Sequence, residues 1–191
     1  MRPGLQAVFL TGQSDPGRCA LSPEQAAFLA ALPLPAPARG AHNFPYLDVS
    51  RPYRAIPLPL ASWNNVRQFV GAHAPAFRRR HRDRVLARLD EADRTLLLAG
   101  SSGLSLLRNL GLPEGALRRL HVFAYGAVGW SRPPCDAWIV TGRRDWIAAC
   151  LGPKPDVRVD CGHMDYLSCA GVLEACHDYL ARILPGQRGH A

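Results

Sequence analysis

The segment Thr95 to Ala99, TLLLA, is apolar without alternation. A strand with one wet face alternates apolar and polar residues. One that is apolar throughout is buried on both faces, the condition of a parallel sheet held between two helix layers. Leu5 to Leu10 (LQAVFL), His121 to Tyr125 (HVFAY), Ala137 to Thr141 (AWIVT) and the shorter Val157 to Asp160 also read as strands, and a glycine follows each within two residues. Helical segments fall between them. Ser22-Pro23-Glu24 opens Gln25 to Leu32, with Ser22 suited to the N-cap and Pro23 to the first helical position. Trp63 to His73, Ala76 to Glu91 and Leu104 to Leu110 follow, and Leu167 to Leu184 carries Val172, Leu173, Cys176, Leu180 and Leu184 on one side. This alternation predicts an α/β fold in one domain: a five- or six-stranded, mostly parallel sheet with helices on both faces. The 191 residues suit one domain, expected over 1–184, with a frayed tail at 185–191. Only the proline-dense stretch 33–62 escapes the pattern. It reads as irregular, with a short strand near Asn43 to Leu47.

At 48% hydrophobic and 20% charged residues, the composition is that of a folded globular chain. No apolar run approaches the ~20 residues that span a bilayer. The N-terminus lacks a long apolar region followed by a small-residue cleavage site, so the expectation is a cytoplasmic protein with no membrane partner. The six cysteines form no C-x-x-C pair and are expected to be reduced. No cluster of histidine, cysteine and carboxylate has metal-ligand spacing, and Gly100 to Gly103 lacks the lysine of a phosphate loop, so no metal and no cofactor are expected. The net charge is +8, but Lys154 is the only lysine among 23 basic residues. Arginine excess of that kind accompanies GC-rich coding and does not by itself name a ligand. Its densest run, Arg78-Arg79-Arg80-His81-Arg82-Asp83-Arg84 with Arg88, reads as a solvated helix face or as a docking surface for an acidic partner such as an acyl-carrier protein. No aromatic residues are interleaved with the arginines, which argues against nucleic acid.

In a parallel sheet, ligands bind beyond the carboxyl ends of the strands. Those ends carry Thr11-Gly12-Gln13-Ser14, Gly100-Ser101-Ser102-Gly103, Gly142-Arg143-Arg144-Asp145 and Cys161-Gly162-His163. In chain order they supply a serine, an aspartate and a histidine. A serine hydroxyl needs a base to become a nucleophile. His163 would take its proton and later return it to the leaving group, while Asp145 holds the imidazole tautomer and stabilises the imidazolium. A strand, a sharp turn bearing serine and then a helix is the pattern of a nucleophile elbow, which requires small residues two before and two after the serine. Ser101 is flanked at those positions by Ala99 and Gly103, Ser102 by Gly100 and Leu104. The steric argument favours Ser101 and leaves Ser102 as the alternative.

With these residues in place, the sequence resembles the α/β-hydrolase superfamily. The likeness is carried by VFLTGQ (8–13), TLLLAGSSG (95–103), WIVTGRRDW (138–146) and VDCGHMDYL (159–167). The elbow is A-G-S-S-G where G-x-S-x-G is commoner, and the first loop is T-G-Q where many members have H-G-x. The resemblance implies an oxyanion hole built from the backbone N–H groups of Ser102 and Gln13; with Ser102 as nucleophile, Gly103 would replace Ser102. It also implies a lidless member, because only Gly126 to Asp136 separates the two strands between which many members carry a lid. Trp63, Tyr125 and Trp146 are candidate walls of an acyl pocket. The implied activity is a serine hydrolase cleaving an ester or thioester through an acyl-enzyme, with a thioesterase on coenzyme A or carrier-protein substrates preferred. Acyl transfer is one alternative, because F-L-T-G-Q-S is similar to the glutamine loop of malonyl transferases. A catalytically inactive binding or scaffold protein is the other.

Overall fold

The computed structural model describes residues 3–47, 51–129 and 131–184. Among them the strands are β1 (Leu5–Phe9), β2 (Arg39–Asn43), β3 (Arg94–Gly100), β4 (Leu120–Tyr125), β5 (Asp136–Gly142) and β6 (Val157–Val159). They form one six-stranded sheet in the order β2-β1-β3-β4-β5-β6, and every neighbouring pair is parallel. The helices are α1 (Pro23–Ala31), α2 (Leu58–Gly71), α3 (Pro75–Leu89), α4 (Gly103–Leu110), α5 (Glu114–Leu117), α6 (Trp146–Leu151) and α7 (Ala170–Ile183). None is long and apolar enough to cross a membrane. The tail expected at 185–191 lies outside the described residues.

The continuous apolar strands have the two-sided burial they call for. In β1, Ala7 and Phe9 pack with α1 and α7, while Val8 faces α3 and α4; in β3, Leu96 and Leu98 take the first side, Leu97 and Ala99 the second. Phe9, Leu96, Leu97, Leu98 and Phe123 are essentially inaccessible to water. Burying a side chain of that size contributes about 1.5–3 kcal/mol.

The sheet's connectivity reverses once. From β1 the chain runs outward to the edge strand β2, then returns to the other side of β1 as β3. The carboxyl ends of β1 and β3 therefore flank a crevice that no crossover covers, the place where open α/β sheets bind ligands.

Differences from the sequence reading cluster around proline. The short edge strand lies at Arg39–Asn43, not Asn43 to Leu47. Its RGAHN sequence has no apolar signature, and Pro45, lacking an N–H, stands just beyond its end. Helix α2 begins at Leu58, five residues before Trp63, because prolines in a first turn give up only N–H groups that have no intrahelical acceptor. The short helices α5 and α6 carry too few turns for periodicity to reveal them.

Candidate active site

Strand β3 ends at Gly100, and the chain turns sharply before α4 starts at Gly103. Ser101 occupies that turn with φ of +50°, a left-handed conformation that costs a non-glycine residue about 1–3 kcal/mol. Its backbone is pinned on both sides: its N–H donates to Tyr125 O at 3.2 Å, and its carbonyl accepts from Val128 N–H at 2.8 Å. The turn is tight because α4 starts against the end of β1. A Cβ on Gly103 would stand 2.2 Å from Leu10 O and 3.2 Å from the Ala99 Cβ. Small residues are thus required two before and two after Ser101, and the strained conformation aims its hydroxyl outward.

The hydroxyl points at a histidine from another strand end. Ser101 Oγ lies 3.5 Å from His163 Nε2, and His163 Nδ1 lies 2.9 Å from Asp145 Oδ2. The first distance is at the long limit of a hydrogen bond, the second is ordinary. Asp145 follows β5, its side chain fully buried, and caps α6 by accepting the Ala148 N–H on Oδ1 at 3.0 Å. Its two oxygens serve different partners, Oδ1 the first turn of α6 and Oδ2 the His163 imidazole.

A further residue, which the sequence reading missed, completes the buried end. Tyr166 donates its hydroxyl to Asp145 Oδ2 at 2.6 Å and accepts the Gly142 N–H at 2.7 Å. Burial by itself pushes the Asp145 carboxyl upward. The hydrogen bonds from Tyr166, Ala148 N–H and His163, with the attraction of the imidazole, outweigh it and leave the carboxyl below the usual aspartate range. Burial, reinforced by the Asp145 carboxylate, pushes the Tyr166 hydroxyl far up, so it remains a donor. Tyr166 sits three residues past His163, and that spacing was the available signal.

Ser102 is placed differently from Ser101. It is 6% exposed, heads α4 with φ of −66°, and its side chain makes no capping bond. Its hydroxyl does not meet His163. Of the two N–H groups expected to form an oxyanion hole, that of Ser102 has no hydrogen-bond partner among the described residues. That of Gln13 is engaged: it donates to Gln68 Oε1 at 2.7 Å, and Gln68 Nε2 donates back to Gln13 Oε1 at 3.2 Å. Helix α2 also reaches this loop through Asn64, whose Nδ2 donates to Ser14 O at 2.8 Å.

A cavity of about 320 Å³ lies beside the first loop, and Ser101, Ser102, Asp145 and His163 are not among the residues that line it. Its walls include Gln13, Arg18, Asn43, Arg54 and Ile56, with Met164 and Leu167 beside the histidine loop. The irregular stretch before α2 contributes Tyr53, Arg54 and Ile56. The three candidate aromatics stand elsewhere. Tyr125 is buried beneath the elbow, its ring 5.7 Å from that of Tyr166, while Trp63 on α2 and Trp146 on α6 are 61% and 74% exposed, and none lines this cavity. In α3, Phe77, Val85 and Leu89 are buried and Arg79, Arg80 and Arg84 face solvent.

No protein-family model matches this chain, and no curated protein matches it.

Proposed function

We propose that this protein is a serine hydrolase with an α/β-hydrolase fold, acting on a small ester or thioester through an acyl-enzyme. The observation that carries the reading is the chain Ser101 Oγ, His163, Asp145, assembled from three strand ends around a strained serine. The strand order, with its reversal beside β3, supports the fold.

In this reading Ser101 Oγ attacks the acyl carbon as its proton passes to His163 Nε2. The imidazolium is stabilised by the ionised Asp145, whose charge Tyr166 and Ala148 N–H hold in place. Collapse of the tetrahedral intermediate expels the alcohol or thiol, which takes the proton from His163. Water, deprotonated by the same imidazole, then releases the acid and restores Ser101. The exposed arginines of α3 favour a thioester on an acidic carrier, an attraction that salt would weaken. One observation favours the catalytically inactive binding reading: Gln68 occupies the Gln13 N–H.

The test is intact mass after treatment with a fluorophosphonate, on the wild type, Ser101→Ala and Ser102→Ala. One adduct on the wild type and on Ser102→Ala, absent from Ser101→Ala, supports the proposal. No adduct on folded wild type refutes it.

A further inference from the structure

The large apolar side chains left in solvent are not scattered. Among the described residues nine such side chains are exposed, and six of them, Tyr53, Leu58, Leu60, Trp63, Val66 and Val70, fall in the stretch that leads into and forms α2. The last five are 49–64% exposed. Single apolar residues are ordinary on a surface, whereas a group of them marks a place that meets something. At 3.6 residues per turn, Pro59, Trp63, Val66 and Val70 fall within about 60° of one another around α2. Opposite them lie Ala61, the one residue that α2 buries, and Asn64, Asn65 and Gln68, which bond to Gln13 and Ser14. The helix is held to the body by a mostly polar side and carries an apolar crest on the other. The charge around the crest has one sign. Residues 51–82 contain seven arginines, no lysine and no aspartate or glutamate. Arg67 borders the crest on α2 itself, and Arg79 and Arg80 are exposed near the start of α3. None of these three makes an ion pair among the described residues.

We propose that α2, with the arginines beside it, docks this protein on an anionic lipid surface. The crest enters the boundary between headgroups and acyl chains, and the guanidinium groups pair with lipid phosphates. A helix with tryptophan and aliphatic residues along one side and arginine beside them lies in such a surface rather than across it, so the lack of a spanning helix does not bear on it. Each arginine near an anionic leaflet adds to the attraction, and the tryptophan ring sits at headgroup level. An acidic carrier protein accounts for the arginines but not for the crest. The crest is convex, and a protein partner has to bring a groove shaped to it, whereas a lipid surface takes it without one. A second copy of the chain brings the same arginines and no carboxylate to the face, with a net charge of +8 on each side. The docking has an orientation. Helix α2 bonds to the loop after β1, and Leu58 shares a cavity with Met164, the neighbour of His163, so the surface is met by the end of the sheet that carries Ser101. Docking of this kind does not require Ser101 to be a nucleophile.

The experiment is flotation of the whole protein with vesicles of phosphatidylcholine, with and without about 30% phosphatidylglycerol, at low and at physiological salt. Wild type is compared with Trp63→Ser, with Val66→Ser/Val70→Ser and with Arg79→Ala/Arg80→Ala. All of these change exposed side chains, so each variant melts with wild type. Expected is binding to the anionic vesicles alone, weaker in salt. Trp63→Ser lowers the affinity about tenfold or more, the worth of one large apolar side chain. The arginine pair does the same by removing two charges. Lipid brominated on its acyl chains quenches the tryptophan emission of wild type and of Trp146→Phe, and in Trp63→Phe that quenching is lost. Vesicle binding that Trp63→Ser and the valine pair leave unchanged overturns the proposal, by reducing it to adsorption of a basic protein through charge. Binding without quenching at Trp63 overturns it for the same reason. No binding to anionic vesicles also overturns it. If an acidic carrier protein then binds and Trp63→Ser abolishes that, the crest belongs to a protein partner; a dimer that Trp63→Ser dissociates assigns it to a second copy. Fluorophosphonate labelling of Ser101 is read separately and decides only the hydrolase reading.

Discussion

Replacing Tyr166 by phenylalanine removes one oxygen and tests how the buried end of the site is held. That oxygen donates to Asp145 Oδ2 at 2.6 Å and accepts from Gly142 N–H at 2.7 Å. Losing a hydrogen bond to a buried charge costs about 1.5–3 kcal/mol, and leaving an amide N–H without an acceptor costs about 1–3 kcal/mol. The lower parts of both ranges together give about 3 kcal/mol. For a chain of this size that corresponds to a fall in Tm of about 6–12 °C at pH 7. The loss also depends on pH. The folded Asp145 carboxyl is held below its ordinary range, so its contribution to stability is present above the unfolded value near 4 and disappears as pH falls through the folded one. Tyr166→Phe removes the strongest of the interactions that lower it. The Tm gap between wild type and variant is therefore wide at pH 7 and narrower near pH 3. Differential scanning calorimetry at both values measures it. A variant that melts within 2 °C of wild type at pH 7, or a gap that widens in acid, would refute this account of how the carboxylate is stabilised.

Asp145→Asn is expected to fold, since an amide oxygen still caps α6, but to lower kcat by about 10⁴-fold because it no longer enforces the productive His163 tautomer; steady-state kinetics on an aryl ester checks this, and a loss below tenfold counts against the triad. Gly103→Ala places a Cβ 2.2 Å from Leu10 O and should destabilise the fold by about 3 kcal/mol, measured by urea denaturation. His81 packs between Phe44 and Phe77, and burial, with Arg80 and Arg84, lowers its pKa to about 4. The unfolded chain then binds more protons between about pH 6.5 and 4, so stability falls as pH drops through that window, by about 2 kcal/mol from pH 7 to 5. Denaturation at both pH values on wild type and His81→Phe tests it, with the slope reduced in the variant.

The layered architecture was legible in the strands, because an apolar strand of this kind, alternating along the chain with helices, is buried when helices cover both faces of a parallel sheet. TLLLA, LQAVFL and HVFAY could be read that way without coordinates, and the glycine after each strand marked where to look for chemistry. The sequence by itself also determined the elbow's steric frame: Ala99 and Gly103 are small because backbones approach there. What the sequence left open was anything depending on which groups meet across the fold. Ser101 and Ser102 are chemically identical, and only the positive φ at 101 and the burial at 102 separate the one facing His163 from the one facing Gly12. The engagement of Gln13 by Gln68 joins residues 55 apart and leaves no periodicity to detect. The same holds for the acceptor Tyr166 offers to Gly142 N–H. The aromatics expected in the pocket were chosen by type and proximity in sequence, whereas solvent exposure is decided by the packing of α2, α6 and the elbow. Local patterns fix elements because their physics is local. The site is a set of distances between strand ends, and only the tertiary structure sets those.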